Sequence, residues 1–233
     1  MKLSPVFAVA VLAVLVAACA GDVDPKWQLD HDRIVAVRAT PPHIPAGATS
    51  QLDLLLALKG AGTSTGVPDR AIVVSPLSLA DALSGTTVTA PDEARLAAAR
   101  TELGLAATEP VPLQLGVAAG ALTAIKTVYL GDSADNPALV DVTFDGMHPA
   151  AGDPLTVPVD TDVHMSVAAS DTTMLVNWLT SCGTMHDFDL HAAYLHVLPA
   201  DPQSGELVLT VRDLVGGVSW EIWPITATAA ARE

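Results

Sequence analysis

Three stretches of the chain hold residue types that could do chemistry. "GTSTG", Gly62 to Gly66, has the written form of the nucleophile elbow G-x-S-x-G, with Ser64 as the nucleophile. That motif needs a strand before it and a helix directly after it, yet Val67-Pro68-Asp69 follows, and proline blocks a helix there. A flexible Gly/Ser/Thr loop within "GAGTSTGVPDR" is the expectation, and the chain reads as non-enzymatic. "CGTMHDFDLHAAYLH" holds Cys182, His186, His191 and His196 with Met185, Asp187 and Asp189 between them, donors suited to copper or zinc. The three histidines are evenly spaced at five residues, which sets neighbours on opposite faces of a strand and about 140° apart around a helix. Only a loop could gather Cys182, His186 and His191 around a metal, and surface histidines are the default. "GDSADN" offers Asp132 and Asp135 to calcium, but without the dense oxygen spacing of a calcium loop. No cofactor is expected.

The segment that would carry these residues to their place in the cell comes first. Lys2 precedes an uncharged apolar run from Val6 to Ala18, too short for a bilayer span of about 20 residues and of secretory proportions. Its end, Val16-Ala17-Ala18-Cys19, resembles the lipobox of bacterial lipoproteins. That resemblance implies a signal peptide at residues 1–18, removed so that Cys19 becomes an acylated first residue and holds a soluble domain to the membrane. Ala20 stands where an inner-membrane retention signal is usually Asp, which directs the expectation to the outer membrane. Removing residues 1–18 takes Lys2 away and leaves 10 basic against 26 acidic residues, a formal charge of −16. Nucleic acid and anionic membrane faces are poor partners for such a chain. Once Cys19 is lipidated only Cys182 remains, so neither an internal disulfide nor a site built on several thiolates is available.

Alternating apolar segments bounded by Gly, Pro, Asn and Asp predict mainly β structure. Residues 19–33, including "DVDPKWQLDHDR", read as a polar tether. In the first ordered stretch Val35 and Val37 alternate, prolines 41, 42 and 45 break the run, and Leu52, Leu54, Leu56 and Leu58 share a face. The same layout returns later. Val140, Val142 and Phe144 alternate, "DGMHPAAGDP" intervenes, and Val163, Met165, Val167 and Ala169 share a face. The repeat predicts two domains, 34–130 and 138–229, joined by a solvated linker at residues 131–137, "GDSADNP", open to proteases. Within the first domain, "PDEARLAAARTELG" predicts one short helix capped at Asp92 or Thr89 and stopping near Gly104.

In the second copy Met174, Val176 and Trp178 share a face, and "LVLTVRDLVGGVSWEIWPITAT" reads as a hairpin around Gly216-Gly217. The order of strand pairs, the middle-strand Trp and the closing hairpin resemble an immunoglobulin-like β-sandwich. "LDHDRIVAVRATPPHIPAG", "NWLTSCG" and "LVLTVRDLVGGVSW" are similar to segments of uncharacterised Gram-negative lipoproteins with such domains, in which an R-D-x-x-G-G-x-x-W hairpin recurs. The fold expected is therefore tandem immunoglobulin-like β-sandwiches with a helix inserted in the first, and Trp178 as core anchor of the second. The Cys and His loop is also similar to the copper loop of cupredoxins, but His164, the upstream candidate ligand, alternates with Val163 and Met165 and so turns from the core. The function expected is an envelope-anchored binding or interaction module, with an envelope protein or a polysaccharide as partner. A structural spacer is the alternative, and a cupredoxin-like metal protein the third.

Overall fold

Period-two alternation is carried into strands along almost the whole chain in the computed structural model, which describes residues 25–168 and 173–229. The signal peptide, Cys19 and the start of the tether lie outside the described residues, as does Ala169. The first half contains β1 (Arg33–Thr40), β2 (His43–Ile44), β3 (Thr49–Leu58), β4 (Gly62–Gly66), β5 (Arg70–Ser75), β6 (Leu83–Ser84), β7 (Thr87–Thr89), β8 (Val111–Ala119) and β9 (Leu122–Leu130). The second contains β10 (Val140–Phe144), β11 (Leu155–Pro158), β12 (Asp162–Ala168), β13 (Leu175–Thr180), β14 (Thr184–His186), β15 (Ala192–His196), β16 (Ser204–Arg212) and β17 (Val218–Thr228).

Both halves have the same ladder order. Sheet β1-β3-β7-β6 packs on β2-β9-β8-β5, and sheet β10-β12-β15-β14 packs on β11-β17-β16-β13. In each half the short second strand crosses to the other sheet and runs parallel to the last strand, β2 to β9 and β11 to β17. The remaining strand ladders are antiparallel. These are tandem immunoglobulin-like β-sandwiches.

The predicted helix is α1 (Glu93–Leu103), between β7 and β8. Asp92 caps it by accepting the Arg95 N–H at 2.9 Å, and Gly104 ends it in the left-handed conformation at φ 68°. Leu96 and Ala99 join the first core, where Val37, Ala39, Leu52 and Leu54 meet Leu113, Leu115, Val128 and Leu130. In the second core Trp178 is fully buried. Phe144 packs edge-on to Trp178 at 6.1 Å and to Trp223 at 5.1 Å, and the indoles donate to the Leu190 and Ala150 carbonyls.

Four local expectations change. The loop at Gly62–Gly66 is strand β4, which pairs with β3 along Leu54–Leu58, beyond the part of β3 that β7 holds. A bulge between Ile34 and Ala36 breaks the alternation, so Val37 stays in the first core while Val35 joins Ala36 on the opposite face. Val140 is exposed rather than sharing the core face of Val142 and Phe144, because a register shift lies between Val140 and Thr143. The tether is docked from Trp27 onward: Thr180 donates to the Trp27 carbonyl and accepts from Leu29 N–H, both at 2.9 Å, and Leu29 is buried. An apolar side chain every second residue gave that segment something to bury.

Candidate functional site

The two sandwiches cover each other. The outer face of β1 and β3 presents Ala36, Leu55 and Ala57 to Leu179, Val208 and Val218 on the outer face of β13, β16 and β17, with Leu29 between them. On its rim Arg38 grips Asp53 through Nε and Nη2 at 3.1 and 2.5 Å and lies 3.9 Å from the centre of the Trp220 ring. Glu206 reaches back to accept the Thr63 N–H of β4 at 2.5 Å.

The β16–β17 hairpin is the element that the first sandwich grasps. Asp213 shapes its tip by accepting the N–H groups of Val215 and Gly217 at 2.9 and 2.6 Å. Its carbonyls then point at two basic side chains of the first sandwich. His43 Nε2 meets the Val215 carbonyl at 2.7 Å, and Lys126 Nζ donates to the Gly216 carbonyl. The other ring nitrogen of His43 lies 2.9 and 3.0 Å from the two oxygens of Asp132, and the ring stacks on Tyr129. Both ring nitrogens therefore lie within hydrogen-bond reach of oxygen atoms, one from each sandwich's side of the boundary. Burial pushes the Lys126 pKa down to about 8, with Arg212 and Arg38 adding to the shift and Asp213 and Asp53 opposing it. Gly216 is required at this approach: its φ is 92°, and a Cβ would stand 3.0 Å from the Thr127 carbonyl oxygen.

The join is part of this clasp. Asn136 donates to the Ala39 carbonyl at 2.8 Å and accepts the Val218 N–H at 2.9 Å, stitching β1 to β17. Asp132, the calcium candidate, has its carboxylate turned to His43. Arg212 of the hairpin donates to Asn177 and to the Val35 carbonyl, at 2.8 and 2.7 Å. The R-D-x-x-G-G-x-x-W motif is thus a docking element, whose Arg212, Asp213, Gly216 and Trp220 each act at the boundary between sandwiches.

The metal candidates are not gathered. Cys182 is fully buried and its thiol donates to the Pro202 carbonyl at 3.0 Å, while burial, reinforced by Asp201, pushes its pKa up. His186 and His164 flank Tyr194 on the outer face of the β10-β12-β15-β14 sheet, the first stacked at 4.4 Å and the second tilted at 5.9 Å. His196 is held by Asp162 at 2.6 Å, and His191 lies just before β15. Among the described residues no group of three His, Cys, Asp or Glu side chains is placed to hold a metal ion. Ser64 lies in β4 opposite Leu56, and β5 follows where an elbow would need a helix.

One sheet face is apolar and uncovered. Ile72 and Val74 on β5 and Ile125 on β9 are 47%, 43% and 63% exposed, and they rise on either side of Gly116 in β8. A Cβ at Gly116 would touch Ile72 and Val74 at 3.3 Å, so the missing side chain opens a groove of about 530 Å³ between these ridges. Its lining contains Arg70 and no acidic residue. Alternation in "RAIVVS" and "LTAIKTVYL" could have revealed this face, since Ile72, Val74 and Ile125 fall out of phase with the core positions. Among the described residues no helix is long and apolar enough to cross a membrane.

No protein-family model matches the chain, and no curated protein matches it. Solved structures show low similarity. The tandem Ig repeats of Dlar are 10% identical over 85% of this chain and 98% of that one, with a TM-score of 0.33. A SusE-like surface located polysaccharide binding protein from the Bacteroides thetaiotaomicron heparin utilisation locus is 10% identical over 87% of this chain, with a TM-score of 0.32. A nucleoside hydrolase-related hypothetical protein from Saccharophagus degradans is 14% identical over 41% of this chain, with a TM-score of 0.32. The matched part spans 35% of the second protein and 26% of the third. Likeness at this level carries no argument about function, and the fold stands on the ladders themselves.

Proposed function

We propose that this chain is a lipoprotein anchored in the outer membrane through Cys19, whose two clasped sandwiches act as an interaction module for another envelope protein. The observation that carries the reading is the uncovered face of Ile72, Val74 and Ile125 around Gly116. Exposed branched aliphatics clustered on one acid-free face mark an interaction surface in an otherwise acidic chain. Protein is the partner it suits: aliphatic ridges and an empty groove accept apolar side chains, whereas a polysaccharide calls for converging polar groups and aromatic rings.

A spacer would need the rigidity of the clasp but not this face, and that difference makes the two readings separable. The full chain is captured from its own envelope as wild type and as Ile125→Asp, with Cys19→Ala fractionated in parallel. The interaction reading expects a protein partner lost from Ile125→Asp, and the anchor reading expects Cys19→Ala to leave the membrane fraction or to accumulate unprocessed. No partner with either chain supports the spacer, and equal capture by both chains would take the interaction away from the Ile72, Val74 and Ile125 face. A cleaved Cys19→Ala chain that still fractionates with membranes would remove the anchor.

A further inference from the structure

We propose that a cavity of about 170 Å³ between the docked lead-in and the two sandwiches, lined by Lys26, Arg33, Asn177, Phe188 and Arg212 among others, binds one oxyanion group, a carboxylate or a phosphate. The site is separate from the uncovered sheet face and stands independently of the partner assigned to that face. Charge is the first reason. The chain has 11 basic and 26 acidic residues, yet three basic residues converge on this cavity and no acidic residue lines it.

The state of Arg33 is the second. Its Nη1 donates to the Lys26 carbonyl at 2.9 Å, but Nε and Nη2 are buried and have no acceptor among the described residues. Those two atoms form the side-on edge of a guanidinium, the edge that takes a carboxylate or phosphate through two parallel hydrogen bonds. Arg38, five residues along the same strand, uses that edge to hold Asp53. In Arg33 it is unmatched, and a buried donor without an acceptor is an unfavourable arrangement that an incoming oxyanion relieves.

Arg212 supplies the third reason. Its Nη1 and Nη2 are turned to Asn177 and Val35, which fixes the guanidinium beside the cavity, and among the described residues no carboxylate pairs with it. Burial lowers the pKa of Arg33 and of Arg212, and the charge of Arg212 lowers that of Arg33 further, against Asp30. Two half-buried like charges without a shared counter-charge favour an anion between them. The volume admits one oxyanion group and little of its carrier, so the ligand is a small anion or the charged end of a larger molecule.

The test titrates the full chain, in non-ionic detergent and at constant ionic strength, with inorganic phosphate and with acetate by calorimetry. Saturable binding at one site per chain is expected, weakened about tenfold or more in Arg33→Gln and partly retained in Arg33→Lys, which keeps the charge without the fork. Arg95→Gln, on the exposed side of α1 where Arg95 pairs with Asp81, should bind as wild type does. Should Arg33→Gln fail to fold, Lys26→Gln tests the same site from the lead-in, with a weaker affinity expected. Phosphatidylglycerol vesicles that compete with phosphate, where phosphatidylcholine vesicles do not, would identify a lipid headgroup as the source; indifference to both would identify a free anion. Absence of saturable heat, or binding unchanged in both Arg33→Gln and Lys26→Gln, would overturn the proposal.

Discussion

Lys126 shows how a single residue can report on the boundary between sandwiches. It is 6% exposed, donates to the Gly216 carbonyl, and has a folded pKa of about 8 against an ordinary 10.5. Between those values the unfolded chain holds more protons than the folded one, so stability rises with pH across that window; below pH 8 the burial of the charged ammonium is opposed in full. Lys126→Met removes the titration. Urea unfolding between pH 8 and 10.5 should therefore gain less stability in the variant than in wild type, the difference being about 3 kcal/mol at most. Equal gains would show that this ammonium is solvated. The position was legible in part, because Lys126 keeps phase with Val128 and Leu130 and so falls in an inward row, where a solvated reading is out of place. Trp220 and Trp223 carry the same lesson. Their odd separation sends one to the interface and the other to the core, a sign that β17 is covered on both faces. What parity could not show was the acceptor: His43 and Lys126 bond to backbone carbonyls of a hairpin far along the chain, and a carbonyl leaves no mark in a sequence.

Elements were read well where the cause was local and poorly where it was distant. The α1 helix was legible because Asp92, the Ala-rich run and Gly104 lie within one segment. Double burial of β3 is also written in its sequence, since Leu54 to Leu58 are apolar without a break, a run that alternation does not describe. Strand β4 has no such signal: its Gly, Ser and Thr become a strand because the free length of β3 and the carboxylate of Glu206 supply partners. The β16–β17 hairpin was visible from Gly216-Gly217, but its grip on the first sandwich was not. That grip can be tested at Gly216. Gly216→Ala places a Cβ against the Thr127 carbonyl at a φ that side chains rarely adopt, and should cost about 1–3 kcal/mol. The hairpin itself should survive, because Asp213 still bonds Val215 and Gly217. Loss of stability with retained β-sheet circular dichroism is the expected pair of readings, and a variant as stable as wild type would mean that the hairpin does not approach Tyr129 and Thr127 so closely in solution.

At the scale of the whole molecule, the sheet that closes one sandwich is a wall for the other. Leu55 and Ala57 of β3 exchange water for Leu179, Val208 and Val218, burial that each sandwich alone would forfeit, at about 25 cal/mol for each Å² of apolar surface. A polar join such as "GDSADNP" suggests independent domains when read for composition alone, and exposed linkers of that kind are nicked first. Here Asp132 is turned to His43, Ala134 bridges to His43 and Asn136 is bonded at both ends, so the backbone that a protease must draw out is held by both sandwiches. Native full-length chain should therefore resist brief proteolysis between Gly131 and Asn136 and unfold in urea as one transition. Asn136→Ala removes a donor and an acceptor that span the boundary, and should bring cleavage at the join while leaving both cores intact. Adding Val208→Asp, which buries a carboxylate between the apolar faces, should go further and split the unfolding curve into two steps. Rapid cutting of the wild-type join, or two transitions before any substitution, would mean that the sandwiches move independently and that the clasp does not hold them.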